Sequence, residues 1–446
     1  MNKFAIIDEN QFNLGPVLAA AQTRSPIIMQ DCFDQGYRYS WCDHQSHKTL
    51  YEVLGEQFDL ATIQFLNTLI QTPRQQYLNQ AVMGAAFANR SLSEINSISP
   101  LDMSNAHAMK GAAKGMHRNL LNEIRKAIGE ERVAMNAHFI MLGAAMANDQ
   151  ALLSSCYYAS KSNNTYLLLC QIRGATRGGH LQEVKKLLER HFLWGEGAIK
   201  VFGKSIAYSS VCVSAASMNN MKLIAETLND LNSRQSTMEY PPAIIIECLS
   251  EAAFHGHRDL VFNCLNVIKS FCRFNDAEQC YKDGFKSAIQ GAIEGNRIKL
   301  ATQLIQSNPD IETVASAITG AKAPLFRSLN NPELCYTIAY LHDNLHTSIG
   351  TERLAEIVNQ VFQLTPMSES ANQFYFRCLE ETKGTSQDLA KTIGQYVTDP
   401  NVEYSDLCAV ILHLRQVRKH LTAENQANLA PEQEATHSSS ASFSMF

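Results

Sequence analysis

A short pattern recurs along the middle of this 446-residue chain and constrains its fold more than any other feature. The clearest copy runs Glu251-Ala-Ala-Phe-His-Gly-His-Arg-Asp-Leu-Val-Phe-Asn-Cys-Leu265. A small pair (Ala252, Ala253) is followed by two variable residues and then Gly256-His257. The apolar pairs Leu260-Val261 and Cys264-Leu265 come next. The template returns at Ala175-Thr176 with Gly179-His180, at Ala215-Ala216 with Asn219-Asn220, and at Gly291-Ala292 with Gly295-Asn296. Fainter copies sit at Ala85-Ala86, Ala112-Ala113 and Ala144-Ala145, and a degenerate one near Gly320-Ala321. With the second small residue as anchor, positions 86, 113, 145, 176, 216, 253 and 292 are separated by 27, 32, 31, 40, 37 and 39 residues. A drifting period of this size belongs to helical repeat arrays.

Each part of the template has a physical task. Two adjacent small residues let a neighbouring helix approach closely. Gly or Asn after the variable pair tolerates the left-handed conformation that ends a helix. The apolar pairs form the buried stripe of a second helix. A unit of this kind is a helix-turn-helix hairpin that cannot bury its apolar face alone, so neighbours must stack on it. The expected fold class is all-α: an α-solenoid of about seven to eight units over residues 76–330, with helical flanks on both sides.

Composition agrees and excludes several function classes. The chain is 45% hydrophobic and 18% charged, as expected of helix pairs covered by neighbours. Its 38 basic and 43 acidic side chains leave a net charge of −5, which argues against a dedicated nucleic-acid binder. Twelve Cys in a chain this long, with no CxxC pair, suit a reduced cytoplasmic compartment rather than a disulfide scaffold. Most, such as Cys170, Cys212, Cys248 and Cys264, fall in apolar helical contexts as small hydrophobes. Asp8, Glu9 and Asn10 interrupt any signal-peptide core, and no apolar run is long enough for a membrane span. A soluble protein is expected.

The segment Ala252–Leu265, read as Ala-Ala-x-x-Gly-His-x-x-Leu-Val-x-x-Cys-Leu, resembles the helix-turn-helix half of an ankyrin repeat. The copy at 175–188 carries the same likeness. The Thr-Pro-Leu-His opening of that family is absent from every copy, and the later gaps exceed its period of about 33. These departures predict helical or looped insertions in place of β-hairpin fingers. The resemblance implies a non-enzymatic module that grips a protein on a concave face and needs no cofactor. On the same likeness, the variable residues before the turn lie by the groove: Arg177, Met218, Phe254, His255 and Glu294.

The flanks differ in texture. Residues 1–75 hold an aromatic and polar stretch around Asp31–Trp41 and a helical pattern over Leu50–Ile70, suiting a cap or a small module. Residues 331–423 read as several amphipathic helices, the last near Tyr404–His420. Residues 424–446 are polar and Ser-rich and predict disorder. Glu424, Glu432 and Glu434 ahead of Ser438–Ser440, with Phe443, Met445 and Phe446 at the end, resemble the translocation signal of Dot/Icm type IV effectors of Legionella-type bacteria. That resemblance implies a translocated effector acting on a host protein in the host cytosol.

The densest set of reactive side chains is Cys32, Cys42, His44 and His47. Cys and His together suit zinc, yet the C-x9-C-x-H-x2-H spacing matches no common zinc module. The alternative to a binding module is a cysteine-dependent enzyme, protease- or transferase-like, with Cys32 as nucleophile and the repeats presenting substrate. No GxGxxG, Walker loop or HExxH occurs. Gly178-Gly179 lies in a helix-helix turn and not after a strand, so it offers no phosphate loop.

Overall fold

The computed structural model describes residues 12–34, 37, 41–43, 45–69, 75–159, 164–193, 199–234, 242–271, 277–308, 310–321, 332–365, 369–381, 408–417 and 419–420. Among them the fold is all-α, with no strand and one isolated antiparallel bridge, Cys42 to Thr49. The predicted tail lies outside the described residues. The chain divides into two compact units, Met1–Gly284 and Phe285–Phe446.

The first unit is a succession of hairpins. They are α1 (Leu14–Gln22) with α2 (Pro26–Asp34), α3 (Leu50–Gln57) with α4 (Leu60–Leu69), α5 (Gln75–Phe87) with α6 (Leu92–Ile98), and α7 (Leu101–Lys114) with α8 (Arg118–Ile128). A short α9 (Glu130–Met135) precedes α10 (Ala137–Ala147) with α11 (Gln150–Ala159). Then follow α12 (Asn164–Arg177) with α13 (Leu181–Leu193), α14 (Ile199–Ser217) with α15 (Met221–Arg234), and α16 (Pro242–His255) with α17 (Arg258–Phe271). The first helix of each hairpin packs on the first helix of the next, from α3 through α5, α7, α10, α12 and α14 to α16.

The turn chemistry is that of the sequence pattern. Asn89, Met116, Asn148, Gly179, Asn219, Gly256 and Asn296 all have positive φ. In each copy the next N–H bonds back to the first small residue: Arg90 to Ala85 at 3.0 Å, His180 to Ala175 at 2.9 Å, His257 to Ala252 at 2.9 Å. This closes the helix end with its carbonyls satisfied. Arg24 and Phe58 adopt the same conformation, so the hairpin geometry extends upstream of the copies visible in the sequence.

One phase assignment needs correction. In the seventh copy the left-handed residue is Asn296, not Gly295, and Arg297 N–H bonds to Ala292 O at 2.7 Å. The anchor therefore falls on Ile293. Gly and Asn both tolerate that conformation, so a Gly-Asn dipeptide leaves the register ambiguous.

Helix spacing within the row is set by backbone contact. A Cβ on Gly84 would lie 2.0 Å from the Glu52 carbonyl oxygen on α3, so α5 touches the backbone of its neighbour. Gly111, Gly143 and Gly174 occupy the same step of the next three copies, and Ser214 and Glu251 hold it in the two after them.

The second unit begins within α18 (Ala277–Glu294) and continues through α19 (Ile298–Ser307), α20 (Ile311–Gly320), α21 (Pro332–Ser348), α22 (Thr351–Leu364), α23 (Glu369–Glu381) and α24 (408–417). Here α19 packs on α21 and α20 on α22. Asp343 on α21 is held by Arg415 and by Lys419 Nζ at 3.5 Å, joining α21 to α24.

Candidate functional site

The hairpin register places two residues of every first helix on one face: three positions before the anchor and one after it. In order along the first unit these are Glu52/Glu56, Met83/Phe87, Lys110/Lys114, Leu142/Met146, Arg173/Arg177, Val213/Ser217 and Ser250/Phe254. They lie four residues apart, hence on the same side of the helix. The face therefore alternates in character, with two basic pairs separated by an apolar pair.

Ion pairs on this face reach past an intervening helix. Lys114 Nζ lies 3.2 Å from Glu52 Oε1, linking α7 to α3 across α5. On its way it sits 4.9 Å from the Phe87 ring centroid, which Lys48 also approaches at 5.0 Å. Arg177 Nη2 is 3.9 Å from Glu251 Oε1, linking α12 to α16 across α14. Side chains two hairpins apart can meet only if their faces converge.

The densest part of this face lies at the end of α16. His255 Nε2 is 3.3 Å from Glu251 Oε1, one helical turn below it. The Cys42 thiol, which the Cys42–Thr49 bridge places just ahead of α3, is near enough to His255 to act on its charge. Phe254 meets His255 edge-on at 5.3 Å, and the His257 ring lies parallel to it at 5.9 Å. Burial alone would lower the His255 pKa. Hydrogen bonds and charge from Cys42 and Glu251 outweigh it and raise the value to about 9. Burial pushes Glu251 up, but its bond to His255 and the charges of His255, Arg177 and Arg173 hold the carboxyl below its ordinary value. On α7, burial first and then the Arg177 charge bring the Lys110 pKa down to about 8.

The residues singled out by resemblance separate into two groups. Arg177, Phe254 and His255 belong to one connected cluster, with Glu251 as its hub. Met218 is half-buried in the turn after α14, and Glu294 ends α18 in the second unit. His257 is a structural residue: it is buried, and its Nε2 donates to the Ser217 carbonyl at 3.0 Å.

Of the Cys/His set near the N-terminus, Cys32, Cys42 and His47 are among the described residues. Cys32 is 6% exposed in the apolar core on α2, while Cys42 is half-buried beside His255. His44 lies outside the described residues, and His47 has φ 53° in the loop whose N–H bonds to Asp43 O. Among the described residues no three His, Cys, Asp or Glu side chains are placed to hold a metal ion. The thiol that acts on the His255 imidazole is that of Cys42.

Glu251 carried a signal that the repeat pattern contains. It is a carboxylate at the step where earlier copies have Gly or Ser. Cys42 had no such signal, because nothing local ties it to α16.

Fold and site define a protein of stacked helical hairpins with one face on which charged and apolar pairs alternate. Compared with known protein families and with characterised proteins, the chain matches none. Among the described residues no helix is long and apolar enough to cross a membrane.

Proposed function

We propose that the chain is an ankyrin-like α-solenoid whose inner face binds a protein partner without chemistry of its own. The observation that supports this is the run Lys110/Lys114, Leu142/Met146, Arg173/Arg177, in which two basic pairs flank an apolar one on adjoining first helices. A surface of this kind suits a partner segment with carboxylates on either side of an apolar side chain. Stacked hairpins present extended surfaces that serve as binding scaffolds. The Ser-rich end of the sequence, with its acidic residues, supports reading the protein as a translocated bacterial effector that meets this partner in a host cell.

The test uses the full chain as bait in host-cell lysate, beside a variant carrying Arg173→Glu and Phe254→Ala. Arg173 is exposed and Phe254 half-buried, so both changes leave the core intact. The expected outcome is loss of a specific captured protein with an unchanged melting temperature. Equal capture by both proteins overturns the assignment of the face. For translocation, a reporter fused to the full chain is compared with one lacking residues 424–446. Equal delivery of the two overturns the role of the tail.

A further inference from the structure

Four of the large apolar side chains left open to solvent occupy one step of the repeat. Met103, Met135, Tyr166 and Ile206 each stand ten residues before the anchor of their copy, and they are 61%, 71%, 46% and 47% exposed. Exposed apolar residues scattered singly are ordinary, but a row in register through four consecutive copies forms a surface. In α7, α12 and α14 this step lies on the side of the paired residues described above, two helical turns closer to the helix start. Met135 ends α9 and is drawn alongside Met103 by its neighbours. Arg132 is paired with Asp102, and Asn136 Nδ2 donates to Asn105 Oδ1 at 3.1 Å.

A chain of rings runs beside the row. His107 of α7 meets Phe139 of α10 at 5.4 Å, Phe139 lies 4.4 Å from His138, and His138 meets Tyr166 of α12 at 5.4 Å. All four rings are half-buried or exposed. Burial and then the Lys110 charge bring the His107 pKa down to about 4, and burial lowers that of His138. Both imidazoles are therefore uncharged at neutral pH, and the rings widen the apolar row. The rim toward the turns is cationic. Lys114 is paired with Glu52 and Arg177 with Glu251, whereas Lys110 and Arg173 make no ion pair among the described residues.

The spacing of the row selects the shape of its occupant. Packed helices stand about 8–10 Å apart. An extended strand laid across them covers that distance in about three residues, which sends successive contacts to opposite faces. A helix covers about 10 Å in about seven residues, nearly two turns, and returns a side chain to the same face each time. We propose that the row docks an acidic amphipathic helix of the partner. Its apolar residues recur at every seventh position over Met103, Met135, Tyr166 and Ile206, and its carboxylates lie on the flank facing Lys110 and Arg173. The inference rests on the protein-binding role proposed above and names the segment that the partner offers.

The test is fluorescence anisotropy with the full chain and labelled synthetic peptides. One peptide carries Leu at every seventh position and Glu along one flank. A second has Lys in place of Glu, and a third has the residues of the first in scrambled order. The Glu peptide is expected to bind about tenfold tighter than the other two. Met135→Ser with Ile206→Ser is expected to weaken it about tenfold at an unchanged melting temperature, because both side chains are exposed. Lys110→Glu with Arg173→Glu is expected to reverse the preference in favour of the Lys peptide, a result that misfolding cannot produce.

Equal binding of the Glu and scrambled peptides by the unaltered chain overturns the proposal. A labelled oligothymidylate that binds more tightly than the Glu peptide also overturns it, assigning the rings to stacked bases. Self-association that Met135→Ser with Ile206→Ser abolishes, without peptide binding, overturns it by giving the row to a second copy. Partner capture that depends on Arg173 and Phe254 but survives Met135→Ser with Ile206→Ser overturns this inference and leaves the binding role standing.

Discussion

The His257 imidazole donates through Nε2 to the Ser217 carbonyl at 3.0 Å, tying the turn after α16 to the end of α14 in the preceding hairpin. Two other copies repeat the bond: His117 to Phe87 O at 2.7 Å and His180 to Met146 O at 2.9 Å. Arg90 makes an equivalent contact to Glu56 O at 2.9 Å. The residue after the left-handed turn thus caps an orphan carbonyl of the previous helix, and the hairpins are joined by polar bonds as well as apolar packing. Because the carbonyl can only accept, each ring carries its proton on Nε2.

His257→Ala leaves the Ser217 carbonyl buried without its partner, at a cost of about 2 kcal/mol. His180→Ala, at a more exposed turn, is expected to cost less. Urea unfolding of the two variants checks the order.

Gly84→Ala is expected to destabilise by about 3 kcal/mol, at the upper end for overpacking, because the new methyl meets backbone and not a side chain that can turn away. The contact is to the Glu52 carbonyl oxygen at 2.0 Å. Ser214→Ala, at the same step of a later copy, is expected to change the midpoint far less. Thermal unfolding of the pair reads the difference.

His255 makes stability pH-dependent in a defined direction. Its pKa is raised in the fold from 6.5 to about 9. The protonated ring therefore stabilises the fold fully below the unfolded value, and that contribution is lost as pH rises toward 9. The loss is on the order of 2 kcal/mol. In His255→Gln this decline is expected to disappear, as measured by unfolding free energies from pH 6 to about 9.5.

Lys110 acts in the opposite sense. Burial and the Arg177 charge lower its pKa from 10.5 to about 8, so its charged form opposes folding at neutral pH. Lys110→Met is expected to stabilise by about 1 kcal/mol at pH 7. The gain shrinks as pH rises from 8, where the native lysine begins to lose its proton. A cation kept at such a cost on this face fits the binding role proposed above.

In the second unit, Asp343 faces His342 Nδ1 at 3.5 Å, Arg415, and Lys419 at 3.5 Å. Burial raises its pKa, but the bonds from His342 and Arg415 and the charges of Arg415 and Lys419 hold it far below the usual range. Its contribution is therefore present at neutral pH and lost as pH falls below about 4. Arg415→Ala is expected to cost about 1 kcal/mol, since Asp343 is partly solvated. Acid unfolding of this variant is expected to begin at higher pH than in the unaltered chain.

What the sequence determined by itself is local. Ala252-Ala253, the left-handed Gly256 and the pairs at Leu260-Val261 and Cys264-Leu265 mark a helix end, a turn and a buried stripe, each decided within a few residues. The hairpins at 175–188 and 252–265 were legible for that reason, and so was the all-helical class. The register of the seventh copy was not, because Gly295 and Asn296 can both take the turn conformation and only the Arg297 to Ala292 bond separates them. The hairpins around Arg24 and Phe58 were also hidden, since Phe is an unusual residue for a left-handed turn and the packing around it must enforce that choice. The site was legible only in part. Arg177, Phe254 and His255 followed from the repeat phase, whereas the meeting of Cys42 with His255 depended on how far successive hairpins rotate on one another. That rotation is the sum of many small steps, set by whether glycine, serine or glutamate stands where two helices touch. Only the tertiary structure carries out that sum.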